Sequence, residues 1–291
     1  MMQHSLSLVV PTLGRTTQLK RLLESLQAQT LEGFEVIIVD QNGDRRVADI
    51  VEARSWSFPL VRLSCPDDRG VSRGRNVGWK YTNRAILMFP DDDCWYPPDL
   101  IARGLATLER LDADLLCGRV ADQFGRSING RFSDIAAGIR RDNVWVSQCE
   151  GVTFVKRGLI EALDGFDEHV GIGAHSPWQA AEGPDFILRA IQRRAKCCYD
   201  PSLYGYHDEL DISQPDERTI GKVRGYARGM GYVLRRHGYG LPSMFYWVSR
   251  SLANAFWNLA RIKPRRARFY FSVALGRIEG WTGYLASNKP L

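Results

Sequence analysis

The chain has 291 residues, 44% hydrophobic and 25% charged. That balance excludes disordered, collagen-like and small disulfide-scaffold classes and leaves room for a large core. No uninterrupted apolar run approaches the roughly 18 residues that cross a bilayer. The opening MMQHSLSLVVPTLGR lacks a basic region followed by a long apolar one, so it reads as a strand and not as a signal peptide. The net charge of +6 is unevenly spread. Residues 222–291 hold 13 Lys and Arg against the single acid Glu279, a charge of +12, while residues 1–221 hold 26 against 32 Asp and Glu, a charge of −6. An acidic body with a basic tail predicts an anionic partner for the tail, a membrane surface or a nucleic acid. The six cysteines have no metal-like spacing and read as reduced thiols of a cytosolic protein.

Short apolar runs predict strands at Ser7–Val10, Glu35–Val39, Leu60–Leu63, Ala85–Phe89 and Asp114–Cys117. Near-continuous Val, Ile and Leu mark strands buried on both faces. Helices are expected between them at Thr16–Gln29, Ser72–Tyr81 and Asp99–Arg110, the first with Leu19, Leu22, Leu23 and Leu26 on one stripe. The alternation predicts an α/β domain with an open, mostly parallel sheet, whose ligand binds beyond the carboxyl ends of the strands. Further on, a strand is expected near Gly151–Val155, a Gly- and Pro-rich loop over Val170–Gln179, and a helix from about Pro184 to Arg193 that leads to Lys196–Tyr199. From about Glu217 the chain reads as helical and basic. Residues 1–221 are expected to form the catalytic domain and 222–291 a helical extension.

Strand one runs into Pro11-Thr12, strand two into Asp40, and strand four into Asp91-Asp92-Asp93, so polar and acidic groups gather at one rim. No G-x-G-x-x-G follows strand one and no P-loop occurs anywhere, which excludes the usual dinucleotide and triphosphate cradles. Three adjacent carboxylates repel one another unless a cation or hydrogen bonds compensate. Hard oxygen ligands of this kind suit Mg²⁺ or Mn²⁺; a solvated acidic turn capping the next helix is the alternative.

These segments, in this order, resemble family 2 glycosyltransferases, the inverting enzymes of the GT-A fold. Ser7-Leu-Val-Val-Pro-Thr12, Leu23-Glu-Ser-Leu-Gln-Ala-Gln-Thr30 and Val36-Ile-Ile-Val-Asp40 resemble the family's first strand, first helix and second strand. Gly70-Val-Ser-Arg-Gly-Arg-Asn-Val-Gly78 resembles its G-x-x-x-A-R-N-x-G segment, and Phe89-Pro-Asp-Asp-Asp93 stands where the D-x-D motif belongs. Gly165-Phe-Asp-Glu168, Glu182-Gly-Pro-Asp185, Tyr199-Asp-Pro201 and His207 complete a likeness over about residues 5–210. The resemblance implies a Rossmann-like open mixed sheet flanked by helices, with the basic helices as a C-terminal extension. It implies a nucleotide-sugar donor (UDP-, GDP- or dTDP-linked) and an acceptor hydroxyl on a glycan or lipid-linked glycan. It also implies Mg²⁺ or Mn²⁺.

By the same resemblance Asp40 accepts from the nucleotide base, with Pro11 and Thr12 lining its pocket. Arg75 and Asn76 hold the nucleotide or order the loop beneath it. Asp91 and Asp93 lie around the ion with His207 nearby, and Asp92 reaches the ribose or the ion. The family draws its general base from an E-D-x-D stretch. Here that stretch is Glu182-Gly183-Pro184-Asp185, so the second acid is missing and both Asp185 and Glu182 stay open as the base. Asp185 has a further reading as an acid favoured by the helix dipole, and Trp178 is open to stacking on a sugar or to packing.

In the tail, Phe245, Val248, Leu252, Phe256 and Leu259 fall on one helical stripe, and Arg250, Asn254, Asn258 and Arg261 on another. A second helix after Lys263 carries Phe271, Leu275, Ile278, Trp281 or Thr282, and Leu285. Either both cover the catalytic core, or they lie on an anionic leaflet. Nucleic acid is not expected, because no binding motif accompanies the charge. The sum is a cytoplasmic, metal-assisted, inverting glycosyltransferase of surface polysaccharide synthesis, peripheral on the inner face of the membrane. The alternatives are a nucleotidyltransferase making sugar nucleotides, for which Pro11-Thr-Leu-Gly-Arg15 is a poor triphosphate loop, and an inactive nucleotide-sugar binding module.

Overall fold

The computed structural model describes residues 6–285. The elements are, in chain order, β1 (Leu6–Thr12), α1 (Thr17–Gln27), β2 (Glu35–Asp40), α2 (Arg46–Glu52), β3 (Leu60–Ser64), α3 (Val71–Tyr81), β4 (Ile86–Met88) and α4 (Leu100–Arg110). They continue with β5 (Leu115–Ala121), β6 (Ala137–Gly138), β7 (Thr153–Lys156), α5 (Arg157–Ala162), α6 (Glu182–Gln192), β8 (Cys197–Tyr206), α7 (Glu217–Arg236), α8 (Leu241–Ala260) and α9 (Pro264–Thr282). Two compact units emerge: one runs to Phe166 and resumes over Phe186–Glu209, and the other comprises Asp167–Asp185 and the chain from Leu210. The division assigns the Gly- and Pro-rich loop and the first turn of α6 to the same unit as the basic helices, which is earlier in the chain than a boundary at residue 221.

The first unit carries one eight-stranded mixed sheet in the order β3-β2-β1-β4-β7-β5-β8-β6. β1 pairs in parallel with β2 and β4, and β7 runs antiparallel between β4 and β5. β8 is parallel to β5, so the carboxyl ends of β1, β2, β4 and β8 share one rim. β1 is buried along its whole length. Leu6, Leu8, Val10, Val36 and Ile38 join the α1 leucines in the main core. Val9 and Val39 point the other way, where a Cβ on Gly78 of α3 would strike both. That close approach needs glycine and sets α3 on the opposite face.

Several elements differ from expectation. α2, β6 and α5 have no expected counterpart, β5 runs on to Ala121, and β4 is three residues long. The strand expected near Gly151–Val155 is β7, and Glu150–Val152 forms a 3₁₀ turn before it. The segment after Lys196 is β8, which continues to Tyr206. Asp200-Pro201 reads as a turn in sequence, yet the β5–β8 register shifts between Cys117 and Arg119, and Arg119 Nε donates to the Pro201 carbonyl at 2.7 Å. The irregularity absorbs the proline, whose missing N–H would otherwise break the ladder.

In the second unit, α7 and α9 approach closely through glycines. A Cβ on Gly231, Gly276 or Gly280 would strike the facing helix backbone. Ile220, Ala227, Phe269 and Val273 form the apolar contact, and Glu279, almost fully buried, accepts from both Arg224 and Arg228. α8 buries Met244, Ser251, Ala255 and Asn258. Of the two readings of its apolar stripe, packing on the core is not the one seen for most of it: Phe245 is 75% exposed, Phe256 60% and Leu259 44%. On α9 Leu275 and Ile278 are also exposed, and small residues such as Ala267, Ala274 and Gly276 are buried. Close helix packing selects small side chains, so the most apolar stripe is not the packed one.

Candidate active site

Register brings the rim groups together. Leu8 of β1 faces Met88 of β4, so Thr12 and Asp92, four residues further along each chain, meet. The Thr12 hydroxyl donates to Asp92 Oδ2 at 2.7 Å. Next to it, Thr12 faces Asp40 across β1 and β2. Asp40 is fully buried and compensated from two sides. Arg62 of β3 donates to Oδ2 at 2.8 Å, and the Asn42 side-chain and main-chain N–H groups donate to Oδ1 at 2.8 and 3.0 Å. These partners satisfy both oxygens of a carboxylate taken out of water.

Each of the three adjacent acids meets a cation. Arg15 Nε lies 3.2 Å from Asp92 Oδ1, and its guanidinium also donates to Asp93. Arg75, 1% exposed, donates to Asp91 Oδ1 at 2.8 Å and lies over the Phe166 ring. His207, directly after β8, has Nε2 3.2 Å from Asp93 Oδ2. Burial pushes Asp92 up to about 6 against the opposing pull of Arg15 and the Thr12 hydrogen bond. Burial also acts on Asp93, but His207 and Arg15 outweigh it and hold that carboxyl at about 2. Burial pulls His207 down, and the hydrogen bond and charge of Asp93 more than reverse this.

The imidazole also tests the site for a metal. His207 Nδ1 lies 2.6 Å from the Asp208 carbonyl and 3.1 Å from Asn129 Nδ2. Its Nε2 faces the Asp93 carboxylate, where either a ring proton or a cation can stand between them. One carboxylate and one imidazole suit Mn²⁺ or Mg²⁺ completed by phosphate oxygens. Among the described residues no three His, Cys, Asp or Glu groups converge on one point. The residues therefore fit an ion that arrives with an anionic ligand.

Asn76 and Pro11 are placed one layer back. Asn76 Oδ1 accepts from the Phe166 N–H at 2.9 Å, and its Nδ2 donates to the Phe166 carbonyl at 2.8 Å. It ties the loop after α5 to α3. Gly165, at φ +74°, has no room for a Cβ beside Asn76 Oδ1. Pro11 packs on the start of α3, where a Cβ on Gly74 would strike it. Arg15, Arg62 and Arg21 are the rim groups that motif reading passes over. Arg21 donates to Asp208 at 2.8 Å and stacks on Trp95. The only sequence signal for Arg15 is its place three residues beyond the first strand.

Glu182 and Asp185, both in the first turn of α6, belong to the second unit. Asp185 is 0% exposed, and its Oδ1 lies 2.8 Å from His237 Nε2 and 3.6 Å from Arg236 Nε. Arg236 also binds Asp167. Glu182 is buried as well. Trp178 stacks nearly parallel on Tyr232, with ring centroids 4.8 Å apart, so one of its faces is occupied by α7.

The sequence pattern of the family described as "Glycosyl transferase family 2" matches residues 7–158. An uncharacterized glycosyltransferase of Haemophilus influenzae is 38% identical over 105 residues, 36% of this chain and 35% of that protein. YwdF of Bacillus subtilis, also an uncharacterized glycosyltransferase, is 25% identical over 84% of this chain and 88% of its own. Among solved structures, Staphylococcus aureus TarS 1–349 in complex with UDP superposes with a TM-score of 0.57 at 16% identity, covering 98% of this chain and 94% of that one. The mannosyltransferase PcManGT of Pyrobaculum calidifontis, in complex with GDP-Man and Mn²⁺, gives a TM-score of 0.60 at 13% identity over 95% and 86%. The rim acids, the mixed sheet that presents them and these likenesses agree: the chain has the GT-A fold and belongs to glycosyl transferase family 2.

Proposed function

We propose that this enzyme transfers one sugar, with inversion, from a nucleotide-sugar to a hydroxyl of a lipid-linked glycan in surface polysaccharide assembly. It acts from the inner face of the membrane. The observation that carries the donor half is the rim cluster of Thr12, Arg15, Asp91, Asp92, Asp93 and His207. Carboxylates, guanidinium and imidazole stand there ready to handle a diphosphate and its counter-ion. The solved relatives with UDP, UDP-GlcNAc and GDP-Man support a nucleotide-sugar as donor.

Asp40, fixed by Arg62 and Asn42, accepts from the nucleotide base between Pro11 and Thr12. Asp93 and His207 would hold Mg²⁺ or Mn²⁺ with Asp91 alongside, and Asp92 is left to the ribose or the ion. When bound, the ion neutralises charge on the departing diphosphate. Arg15 and Arg75 set the acids' orientation, and Asn76 holds the loop behind Arg75. In-line displacement needs a carboxylate to take the acceptor proton. Asp185 and Glu182, both on α6, are the two acids for that role; Asp185 also contacts His237 and Arg236. The +12 tail supports a membrane-bound acceptor. Turnover of UDP-, GDP- and dTDP-sugars, with and without Mn²⁺, tests the reading; equal turnover in EDTA would remove the metal from it.

A further inference from the structure

The outer face of α8 is apolar and is bordered by cations with no acid among them. Phe245, Phe256 and Trp257 are 75%, 60% and 58% exposed. Ile262, just past the helix, is 89% exposed. From Leu241 to Leu285 the sequence holds seven Lys and Arg and one acid, Glu279, which is 2% exposed and bound by Arg224 and Arg228. The exposed surface of this segment therefore carries no negative group. An aromatic face of this size ordinarily marks a binding surface, and the absence of acids selects an anionic partner. A second copy of the chain would set like charge against like charge across the same face.

A more specific feature lies beside the aromatics. Arg250 and Arg277 both stand over the Trp247 ring, each with its guanidinium carbon 5.4 Å from the ring centroid. Arg250 donates only to the Tyr246 hydroxyl, at 2.9 Å. Arg277 donates to the Trp247 carbonyl and to Ser251 Oγ at 2.6 Å, while its buried Nε has no partner among the described residues. Neither has an acidic partner there. Burial, then the nearby charge of Arg250, pulls Arg277 down to about 10. Two neighbouring guanidiniums with no acidic partner among the described residues are a receptor for a phosphate monoanion or diester.

We infer that α8, with Arg277 of α9 beside it, forms a docking face for an anionic phospholipid leaflet. Phe245, Phe256 and Trp257 enter below the headgroups, and Arg250 with Arg277 takes a headgroup phosphate. Aromatic rings on one side of an in-plane helix with cations at its flank suit the headgroup boundary. The inference gives a surface to the proposed lipid-linked acceptor, on which it rests for its purpose only. The test uses neither donor nor acceptor, so transferase activity and docking stand or fall separately.

The experiment is co-sedimentation of the full chain with phosphatidylcholine vesicles, with and without phosphatidylglycerol. Wild type is expected to bind only the anionic vesicles. Replacing Phe245, Phe256 and Trp257 together with Ser should reduce binding roughly tenfold or more, with only a small fall in melting temperature from the lost Phe256–Phe271 and Arg261–Trp257 contacts. Arg250→Gln should weaken it about fivefold, the equivalent of about 1 kcal/mol per charge. Salt should remove the arginine contribution and leave part of the aromatic one. Three results would overturn the inference: binding equally to neutral vesicles, full displacement by inorganic phosphate, or a triple-Ser variant that binds like wild type. A dimer on gel filtration that the triple-Ser variant dissociates, with no vesicle binding by wild type, would assign the face to a second copy and also overturn it.

Discussion

Asp92 and Asp93 are adjacent in sequence and opposite in behaviour. Asp92 is pushed up to about 6 by burial, whereas His207 and Arg15 hold Asp93 at about 2. An anion that binds here with a divalent ion should depend most on Asp93. Asp93→Asn is expected to reduce metal-dependent turnover at least about a hundredfold, in line with removal of one electrostatic stabiliser; donor turnover rates with Mn²⁺ check it. For the base, whichever of Glu182→Gln and Asp185→Asn removes it should lower kcat by roughly 10²–10⁴-fold with little change in donor affinity; Asp185→Asn should also cost stability, through the lost contact with His237. If neither variant slows turnover tenfold, the proton is taken elsewhere. The acids at the rim are legible in sequence because they directly follow apolar strands. Their partners are not. Arg62 looks like an ordinary strand residue, and His237 lies 52 residues from Asp185. Long-range pairing of charges is a product of the fold and leaves no local pattern.

Elements were legible where hydrophobic periodicity decides them. β1, β2, β3, α1, α3 and α4 fall within a residue or two of their expected positions, because an apolar strand or leucine stripe has one way to be buried. β8 and the tail helices escape that logic. β8 passes through a proline by shifting register, and α7 and α9 pack on glycines. The α7–α9 seam should tolerate little: Gly280→Leu forces a side chain into the α7 backbone at Arg228. A loss of about 1–3 kcal/mol or more, as for overpacked cores, should appear in urea unfolding. The rim loop has a similar point. Gly165→Ala meets Asn76 Oδ1 at a positive φ, and a loss of about 1–3 kcal/mol is expected from the strained backbone. Glu35 adds a pH dependence. Burial opposes its ionisation, yet hydrogen bonds from Ser7 at 2.5 Å and Thr82 at 2.6 Å, with the charge of Arg84, lower its pKa below the ordinary 4.5. A lowered folded-state pKa gives stability that is complete above the unfolded value and lost as pH falls through the folded one. Glu35→Gln should therefore flatten the part of the stability–pH curve below about 4.5 and leave its slope at neutral pH unchanged.

At the scale of the whole molecule the charge asymmetry was plain in the sequence, but the face that uses it was not. The stripe through Phe245 and Phe256 is apolar in the sequence, but only packing shows that it points outward and that Met244, Ser251 and Ala255 point in. Donor binding acts on the whole chain, because a ligand that binds the native state raises the stability of the whole. A nucleotide-sugar at a hundred times its dissociation constant contributes about 2.7 kcal/mol, which for a protein of this size is a rise of several degrees. The most direct measurement is thermal unfolding of wild type and Asp93→Asn with UDP-, GDP- and dTDP-sugars, each with Mn²⁺ and with EDTA. One donor class should raise the wild-type melting temperature by several degrees only when Mn²⁺ is present, and the variant should lose that rise. No shift with any donor, or an equal shift in EDTA and in the variant, would contradict a metal-assisted nucleotide-sugar site at Asp91, Asp92, Asp93 and His207.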